Sequence, residues 1–291
     1  MQHNSSKSDL ILGAHMSISQ GYAFALTETA GLLDCNALQI FLKSPRGGRP
    51  KPLLSEDVSK FKSEYERCAI KYLVAHSSYL LNLAKPLGKD DWQFENLNDD
   101  IIRLGALGGG DLVYHVGKYL KLDRAEAIEH LLENLNYILP IAADKNVNLL
   151  LENCAGQGTE MGTELEEIAY ILDKINRKNL KVCIDSCHAF AAGYELSNKE
   201  SVVSFFNTME SIIGLENVNC FHFNNSIHPV GSRKDRHANL LSGAIAEEGM
   251  KEFAYQAYQA NKPILLETPL INDTHLEDVQ VVKSWFKHLI K

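Results

Sequence analysis

The chain lacks the long apolar segments of a membrane protein. No run of about eighteen apolar residues, the length that a spanning helix needs, occurs in the sequence. The opening MQHNSSKSDLILGAH also lacks the basic and apolar regions of a signal peptide. The six cysteines show no CxxC spacing and several lie in apolar runs, which is typical of buried, reduced thiols. We therefore expect a cytoplasmic protein without membrane association.

An excess of positive charge is also absent. The sequence has 29 Lys and Arg against 37 Asp and Glu, giving a net charge of −8, which argues against a broad nucleic-acid-binding surface. Basic residues nevertheless cluster in three segments that follow apolar runs. These are Lys43, Arg46, Arg49 and Lys51; Lys118 and Lys121; and Arg233, Lys234 and Arg236. We therefore expect these clusters to contact the phosphates of a nucleic acid locally.

No Pro-, Gly- or Ser-rich linker divides the chain, and strand-like and helix-like segments alternate along it. The predicted strands are 10–17, 37–43, 72–79, 112–118, 147–155, 180–188, 218–226 and 262–269. The predicted helices are 21–33, 55–70 with Ser55 as N-cap, 123–143 starting at Asp123, 163–176 and 246–260. Eight such repeats predict an α/β fold of the (β/α)₈ TIM-barrel type. We expect residues 1–9 to be a flexible extension and residues 10–291 to form a single domain.

A doubly wound open sheet is the structural alternative. It normally has a glycine-rich nucleotide loop directly after its first strand, whereas here that strand leads into AHMSISQGY. The glycine run 108–110 precedes a predicted strand, so we interpret it as the turn that ends a helix.

Histidine and carboxylate side chains end the apolar runs. Nine of them stand out: His76, His115, Glu152, Asp185, His188, His222, Asp235, His237 and Glu267. Nitrogen and oxygen ligands of this kind suit Zn²⁺ or Mn²⁺. One ion needs three or four protein ligands, so nine residues predict two or three ions and a hydrolytic centre. In a barrel, such groups meet where the strands end.

Several segments are similar to those of one family. LENCAGQGTEMG (151–162), VCIDSCHAFAAGYEL (182–196), GSRKDRH (231–237) and LLETP (265–269) are the most specific, and LGAHMS and AHSSYLLNLAKP agree with them. The chain resembles endonuclease IV, the (β/α)₈ zinc enzymes of base-excision DNA repair, from about residue 10 to about residue 270.

The resemblance implies three Zn²⁺ ions per chain, with Mn²⁺ as an alternative at one site. His76 and His115 would hold the first, and Glu152 would bridge it to a second that also takes Asp185, His222 and Glu267. The third would take His188, Asp235 and His237. Glu152 and Glu267 are the implied catalytic residues, Glu267 by steering a water. The implied reaction is cleavage 5′ to an abasic site in duplex DNA, together with removal of 3′-blocking groups, by a monomer.

The resemblance also implies DNA contacts in the loops that follow the strands. Arg46 and Tyr79 match side chains that enter the duplex in the family, although Tyr79 could equally be a wall residue of the barrel. The full set of predicted DNA contacts is Arg46, Tyr79, Leu80, Lys118, Arg233 and Arg236. His15 is interpreted as an orienting or structural residue.

The chain departs from the family pattern at a few positions. Asn225 and Ile227 stand where an Asp and a Lys are usual, and KSPRGGRP lacks a common aromatic residue. HVGKYL lacks the usual Pro and Ser, and ANLLSG replaces a more acidic, glycine-rich stretch. These departures bear on the surroundings of His222 and on the DNA-contact loops, and none removes a proposed ligand.

Two other functions compete with the nuclease. Glu152, Asp185, His222 and Glu267 alone reproduce the one-metal site of related sugar epimerases. The other five ligands and the basic loops favour a phosphate polymer as substrate. A catalytically idle DNA-damage-binding or zinc-scaffold protein is the third possibility.

Overall fold

The predicted (β/α)₈ barrel is confirmed. The structure, a computed structural model, describes residues 9–46 and 50–287; most of the predicted extension and Arg49 lie outside these residues. The strands are β1 (Leu12–Met16), β2 (Ala37–Phe41), β3 (Tyr72–His76), β4 (Gly110–His115), β5 (Val147–Glu152), β6 (Leu180–Asp185), β7 (Val218–His222), β8 (Asn225–Ser226), β9 (His237–Ala238) and β10 (Ile264–Leu266). β1 to β7 and β10 close into a parallel barrel in the order β1-β10-β7-β6-β5-β4-β3-β2, while β8 and β9 form a small antiparallel pair.

Helices alternate with the barrel strands. They are α1 (Tyr22–Gly31), α2 (Ser55–Arg67), α3 (Trp92–Leu107), α4 (Arg124–Asp144), α5 (Leu165–Ile175), α6 (Ser186–Ala192), α7 (Lys199–Ile212), α8 (Glu247–Gln259) and α9 (Leu276–Trp285). The glycine run does end a helix, because Gly108 is the C-cap of α3 at φ 132°. Within the described part of the chain, no helix is long and apolar enough to cross a membrane.

Three local predictions were wrong. The run 218–226 is not one strand, because β7 ends at His222 and Asn225–Ser226 form β8, which pairs with β9 outside the barrel. The run 180–188 is not one strand, because the Asp185 carboxylate accepts the His188 N–H at 2.8 Å and thereby starts α6. His188 is therefore a helical residue. Ser55 is the first residue of α2 and not its N-cap, a position that Leu54 occupies without a side-chain hydrogen bond.

The barrel interior is built in layers, because side chains two residues apart on a strand point the same way. The middle layer is apolar and consists of Ala37, Val74, Val113, Leu150, Cys183, Cys220 and Leu265. On β1 this level is taken by Gly13, where an added Cβ would lie 2.0 Å from the Ala37 carbonyl oxygen. Two residues further along each strand, the interior becomes polar.

The amino-terminal end of the barrel is closed by a separate polar network. The Asp111 carboxylate on β4 accepts hydrogen bonds from Tyr72 Oη at 2.6 Å, Asn148 Nδ2 at 2.8 Å and Asn219 Nδ2 at 2.9 Å. Its charge is therefore stabilised within the barrel by donors from three other strands. This leaves the opposite end, where the strands finish, as the place for chemistry; we call that end the barrel mouth.

Candidate metal centre

The polar layer at the barrel mouth is formed by one inward-facing residue near the carboxyl end of each barrel strand. Its members are His15, Gln39, His76, His115, Glu152, Asp185, His222 and Glu267, each two positions after Gly13 or a member of the apolar layer. Closure of the barrel brings them together from eight strands. Six of the nine predicted ligands belong to this layer, and the other three lie on α6, on β9 and in the loop before β9.

A first ligand group consists of His76, His115 and Glu152, whose ligand atoms lie within 4.8 Å of one another. Glu152 Oε2 is 3.1 Å from His76 Nε2 and 3.2 Å from His115 Nε2. His76 and Glu152 are buried, and His115 is 28% exposed at its side chain. Solvent therefore reaches this group on the side of His115.

A second ligand group consists of Glu152, Asp185, His222 and Glu267, again within 4.8 Å. His222 Nδ1 lies 2.8 Å from Glu152 Oε1 and 3.2 Å from Glu267 Oε2. Glu152 thus directs one carboxylate oxygen to each of the first two groups, which is the geometry of a bridging ligand.

A third ligand group consists of Asp185, His188 and His237. Asp235 faces it, with Oδ1 3.3 Å from His188 Nε2 and 3.5 Å from His237 Nε2. Asp185 belongs to both the second and the third group, so the three groups are contiguous. Cys187 also lies within 4.8 Å of the ligand atoms of Asp235 and His237, a neighbour that the sequence did not indicate.

Backbone carbonyls fix the orientation of three histidines. In each ring the Nδ1–H group donates to a backbone carbonyl oxygen. His76 donates to Ser77 O at 2.7 Å, His188 to Asn153 O at 2.9 Å, and His237 to Glu267 O at 3.2 Å. A carbonyl oxygen only accepts, so Nδ1 carries the proton and the Nε2 lone pair points into the centre. This is the tautomer that a metal ion requires of each ring.

The centre has a strongly negative potential. Burial lowers the pKa of His222, but the Glu267 and Glu152 carboxylates outweigh it and raise that pKa to about 10. Burial likewise opposes ionisation of Glu152, yet His222 and His115 hold its pKa well below the usual range. Burial also raises the pKa of Asp235, but His188 overcomes it and brings the value to about 2. Glu152 and Asp235 are therefore stabilised as anions by neighbouring positive charge, which a bound cation would also supply.

The donor set fits divalent metal ions. His188 Nε2 and His237 Nε2 are buried and, among residues 9–46 and 50–287, neither makes an aligned hydrogen bond. A buried ring nitrogen without a partner is costly unless it serves as a ligand. Imidazole nitrogens and carboxylate oxygens in groups of three and four match the ligand preference of Zn²⁺, with Mn²⁺ also compatible.

Gln39 on β2 orients the second group, and sequence reasoning missed it. Its amide nitrogen donates to Glu267 Oε1 at 2.5 Å and to His15 Nδ1 at 2.9 Å. Since a carboxylate oxygen only accepts, the amide oxygen must face His222, whose Nε2–H donates to it at 2.7 Å. Gln39 therefore leaves His222 Nδ1 free to bind a metal ion. The signal available in the sequence was a single glutamine within the apolar run ALQIF, and the structure shows that this side chain is fully buried.

We expect Gln39→Leu to weaken metal binding in the second group by about 10- to 100-fold, the usual effect of removing a residue that orients a ligand. The reason is that His222 and Glu267 lose their common anchor. Competitive titration of the purified protein with a metal indicator measures this. Gln259→Leu, an exposed glutamine on α8, serves as control; equal affinities in both variants would contradict the role of Gln39.

Two asparagines, also missed, support the ligands at the strand ends. Asn224 Nδ2 donates to Asp185 Oδ2 at 2.7 Å, and Asn224 Oδ1 accepts the Glu267 N–H at 2.8 Å. Asn153 Oδ1 accepts the Asp185 N–H at 2.6 Å. Both are fully or nearly fully buried directly beside ligand positions. They fix Asp185 and the backbone of Glu267 in place.

The departure at Asn225 has a structural explanation. Asn225 Nδ2 donates to Leu240 O and Ile245 O, both at 2.8 Å, and its Oδ1 accepts the Ile245 N–H at 2.9 Å. An aspartate would face those two carbonyls without a proton to donate, so the amide suits this loop. Asn225 thus anchors the segment after β9, while Gln39 and Glu152 orient His222.

The predicted DNA contacts lie in loops at the barrel mouth and are exposed. Tyr79 is 51% and Leu80 48% exposed, and Arg46, Lys118, Arg233 and Arg236 are exposed too. Ser78 Oγ donates to Pro45 O at 2.6 Å, which ties the loop that carries Arg46 to the loop that carries Tyr79. Lys118 pairs with Glu160 at 3.3 Å.

Lys43 does not belong to the exposed basic cluster in which the sequence placed it. Its side chain is 9% exposed, and Nζ lies 3.0 Å from both Asp99 Oδ2 and Asp100 Oδ1. Nζ also donates to Asn96 O at 2.6 Å. The Lys43 charge is therefore neutralised inside the protein, where it holds the start of the loop after β2 against α3.

The barrel and its ligand layer define a class of protein. The family model described as xylose isomerase-like TIM barrel matches residues 24–285. A D-tagatose 3-epimerase-like protein of 19% identity shares this fold with a TM-score of 0.70, over 95% of this chain and 98% of its own.

Closer relatives narrow the class. A probable endonuclease 4 of Thermosipho africanus is 36% identical over 276 residues, covering 93% of this chain and 96% of its own. The crystal structure of endonuclease IV from Thermus thermophilus matches with a TM-score of 0.82 and 32% identity, over 95% of this chain and 99% of that one. The chain belongs to the endonuclease IV family, which confirms the resemblance seen in the sequence motifs.

Proposed function

We propose that the chain is a zinc-dependent DNA repair endonuclease that hydrolyses the phosphodiester bond 5′ to an abasic site in duplex DNA. The products are a 3′-hydroxyl and a 5′-deoxyribose phosphate, and 3′-blocking groups are removed by the same chemistry. The observation that carries this proposal is the contiguity of the three ligand groups through Glu152 and Asp185. Family membership supports the nuclease class.

The nine predicted residues would hold three Zn²⁺ ions, with Mn²⁺ an alternative at one site. Divalent ions in such a cluster supply a hydroxide nucleophile at neutral pH and offset the charge that develops on a phosphate in the transition state. The carboxylates of this centre would repel a DNA phosphate without such cations. The proposal therefore needs the metal ions for substrate binding as well as for hydrolysis.

The chain's own residues position the ligand groups and the attacking water. Glu152 is 1% exposed and holds the first two groups in one arrangement through its two oxygens. Glu267 is 17% exposed at its side chain, so its carboxylate can reach a water at the mouth. With Oε1 held by Gln39, Glu267 Oε2 is the atom that orients the attacking water.

The test of the proposal is a nicking assay. The purified protein should cut a duplex that carries one abasic site on its 5′ side and leave an undamaged duplex intact. End-group analysis by ligation and by mass spectrometry identifies the 3′-hydroxyl and the 5′-deoxyribose phosphate. A protein that binds abasic duplex but never cuts it would support the damage-binding alternative instead.

The sugar epimerase remains the rival activity. Its four-ligand site corresponds to the second ligand group alone, and likeness to the epimerase-like structure at 19% identity concerns the fold. The first and third groups, at the same mouth, have no use in a one-metal isomerase. We therefore favour phosphodiester hydrolysis.

We expect Arg46→Ala to weaken binding of abasic duplex and to reduce the slope of log affinity against log salt by about 0.9, the effect of losing one phosphate contact. Arg46 is exposed in the loop that Ser78 ties to the neighbouring loop at the mouth. Fluorescence anisotropy at several salt concentrations measures the slope. Arg177→Ala, exposed in the turn between α5 and β6 at the other end of the barrel, is the control. An unchanged slope in Arg46→Ala would place the DNA elsewhere.

A further inference from the structure

One side of the barrel mouth presents apolar side chains that the metal centre does not use. Trp92 is 48% exposed, Leu120 55%, Tyr79 51% and Leu80 48%. They line a common hollow of about 320 Å³ whose wall also includes His115, the most open member of the first ligand group. The hollow therefore begins where the metal centre ends.

The size and the surroundings of this hollow suit a flat aromatic ligand that is attached to a phosphate chain. Its volume falls within the range of small-molecule pockets, about 300–1,000 Å³. Lys85 stands on its wall together with the ion pair of Lys118 and Glu160, and a second hollow of about 560 Å³ that adds Lys121 shares Lys85 and Leu120 with it. Aromatic faces beside lysines are the arrangement by which proteins bind unpaired nucleic-acid bases.

The amide side chains in the wall are already engaged. Asn82 Nδ2 donates to Lys118 O at 2.9 Å, and Asn82 Oδ1 accepts the N–H groups of Lys118 and Ala84. Gln93 Oε1 accepts the Asn82 N–H at 2.6 Å. These contacts shape the loops and leave stacking as the main way to bind a base, so binding should tolerate any base.

We propose that this hollow binds one unstacked nucleobase of the DNA, stacked on Trp92, while the neighbouring phosphate lies at the metal centre. The inference rests on the proposed function for the identity of the polymer. Its physical basis is the continuity of the hollow with His115, because a base and the phosphate beside it belong to one strand. An abasic duplex suits this site, since a missing base lowers the cost of unstacking its neighbours or its partner.

Tryptophan fluorescence provides the first test. The chain has two tryptophans, and Trp285 is only 8% exposed while Trp92 is 48% exposed. We expect a duplex with one tetrahydrofuran abasic analogue, mixed in a stopped-flow instrument, to quench the emission of the wild-type holoprotein before any cleavage. The Trp92→Phe variant should lose that quenching. An unchanged wild-type signal at saturating DNA, or equal quenching in Trp92→Phe, overturns the proposal.

Steady-state nicking provides the second test. Trp92→Ala should raise KM for abasic duplex about tenfold, in keeping with the loss of one base–aromatic stack, and leave kcat nearly unchanged. Trp92→Phe retains an aromatic face and should restore most of the affinity. Tyr255→Ala, an exposed aromatic residue on α8 with 39% exposure, is the control for loss of surface area alone.

The two proposals can fail separately. If the wild-type protein nicks abasic duplex and Trp92→Ala nicks it with the same KM, the base site is wrong and the nuclease stands. If the wild-type protein never nicks but DNA quenches Trp92, the nuclease is wrong and the base site stands. Because Trp92 is half exposed at the first position of α3, its substitution leaves the core intact.

Discussion

Glu152→Gln should abolish nicking of abasic duplex, with a loss of at least about a thousandfold in kcat, equivalent to roughly 4 kcal/mol of transition-state stabilisation. Glu152 Oε2 faces His76 and His115, and Oε1 faces His222. An amide retains the shape but has one weak acceptor and a donor in place of two anionic oxygens. It therefore cannot bridge two cations. Single-turnover nicking with excess enzyme measures the chemical step.

Two further variants separate the possible causes of that loss of activity. Glu152→Asp keeps the charge but shortens the reach, so partial activity would assign the loss to geometry and not to charge alone. Glu166→Gln removes an exposed carboxylate on the outer helix α5 and should act like wild type. Thermal melting of each variant shows whether the barrel is intact. Full activity in a folded Glu152→Gln protein would contradict the bridging role of Glu152.

Removal of the metal ions should eliminate nicking completely, and the native protein should contain close to three zinc ions, or a zinc and manganese mixture, per chain. Most ligands are buried and each group supplies three or four of them, so release should be slow. Prolonged dialysis against a strong chelator such as 1,10-phenanthroline is therefore needed. Elemental analysis by plasma mass spectrometry counts the ions.

The metal-free protein should regain activity when Zn²⁺ is added and should melt at a lower temperature than the loaded protein, because ions that bind only the folded state stabilise it. His188→Ala removes a third-group ligand and is expected to lower the metal count by one. One ion per chain in the native protein would favour the epimerase. Full nicking after complete metal removal would contradict the metal centre itself.

The sequence predicted the barrel because a period-two or continuous apolar run can be read without knowing which strands pair. Five helices were located from their apolar spacing, and alternation implied the others. Local chemistry at the ends of the apolar runs was harder to predict. Asp185 is the last residue of β6, but its carboxylate also caps α6 and thereby places His188 on a helix. A side chain that caps a helix and a side chain in a strand look the same in a local apolar pattern.

The sequence also could not show which basic side chains are exposed and which are paired with carboxylates. Arg46 and Lys43 are three positions apart in one segment, yet Arg46 is exposed and Lys43 is paired with Asp99 and Asp100 on α3. The partners of Lys43 lie more than fifty residues away along the chain. Whether a charge is available to DNA therefore depends on packing between distant segments.

The sequence by itself determined the kind of chemistry: nine nitrogen and oxygen ligands at the ends of apolar runs, too many for one ion, and motifs of the endonuclease IV family. The family resemblance already implied that Glu152 joins the first two groups, and only the tertiary structure showed that Asp185 joins the second group to the third. It alone identified Gln39, whose amide contacts His222 across 183 residues of chain, and the hollow beside Trp92. The physical reason is barrel closure, which fixes distances between strand ends that no local pattern encodes.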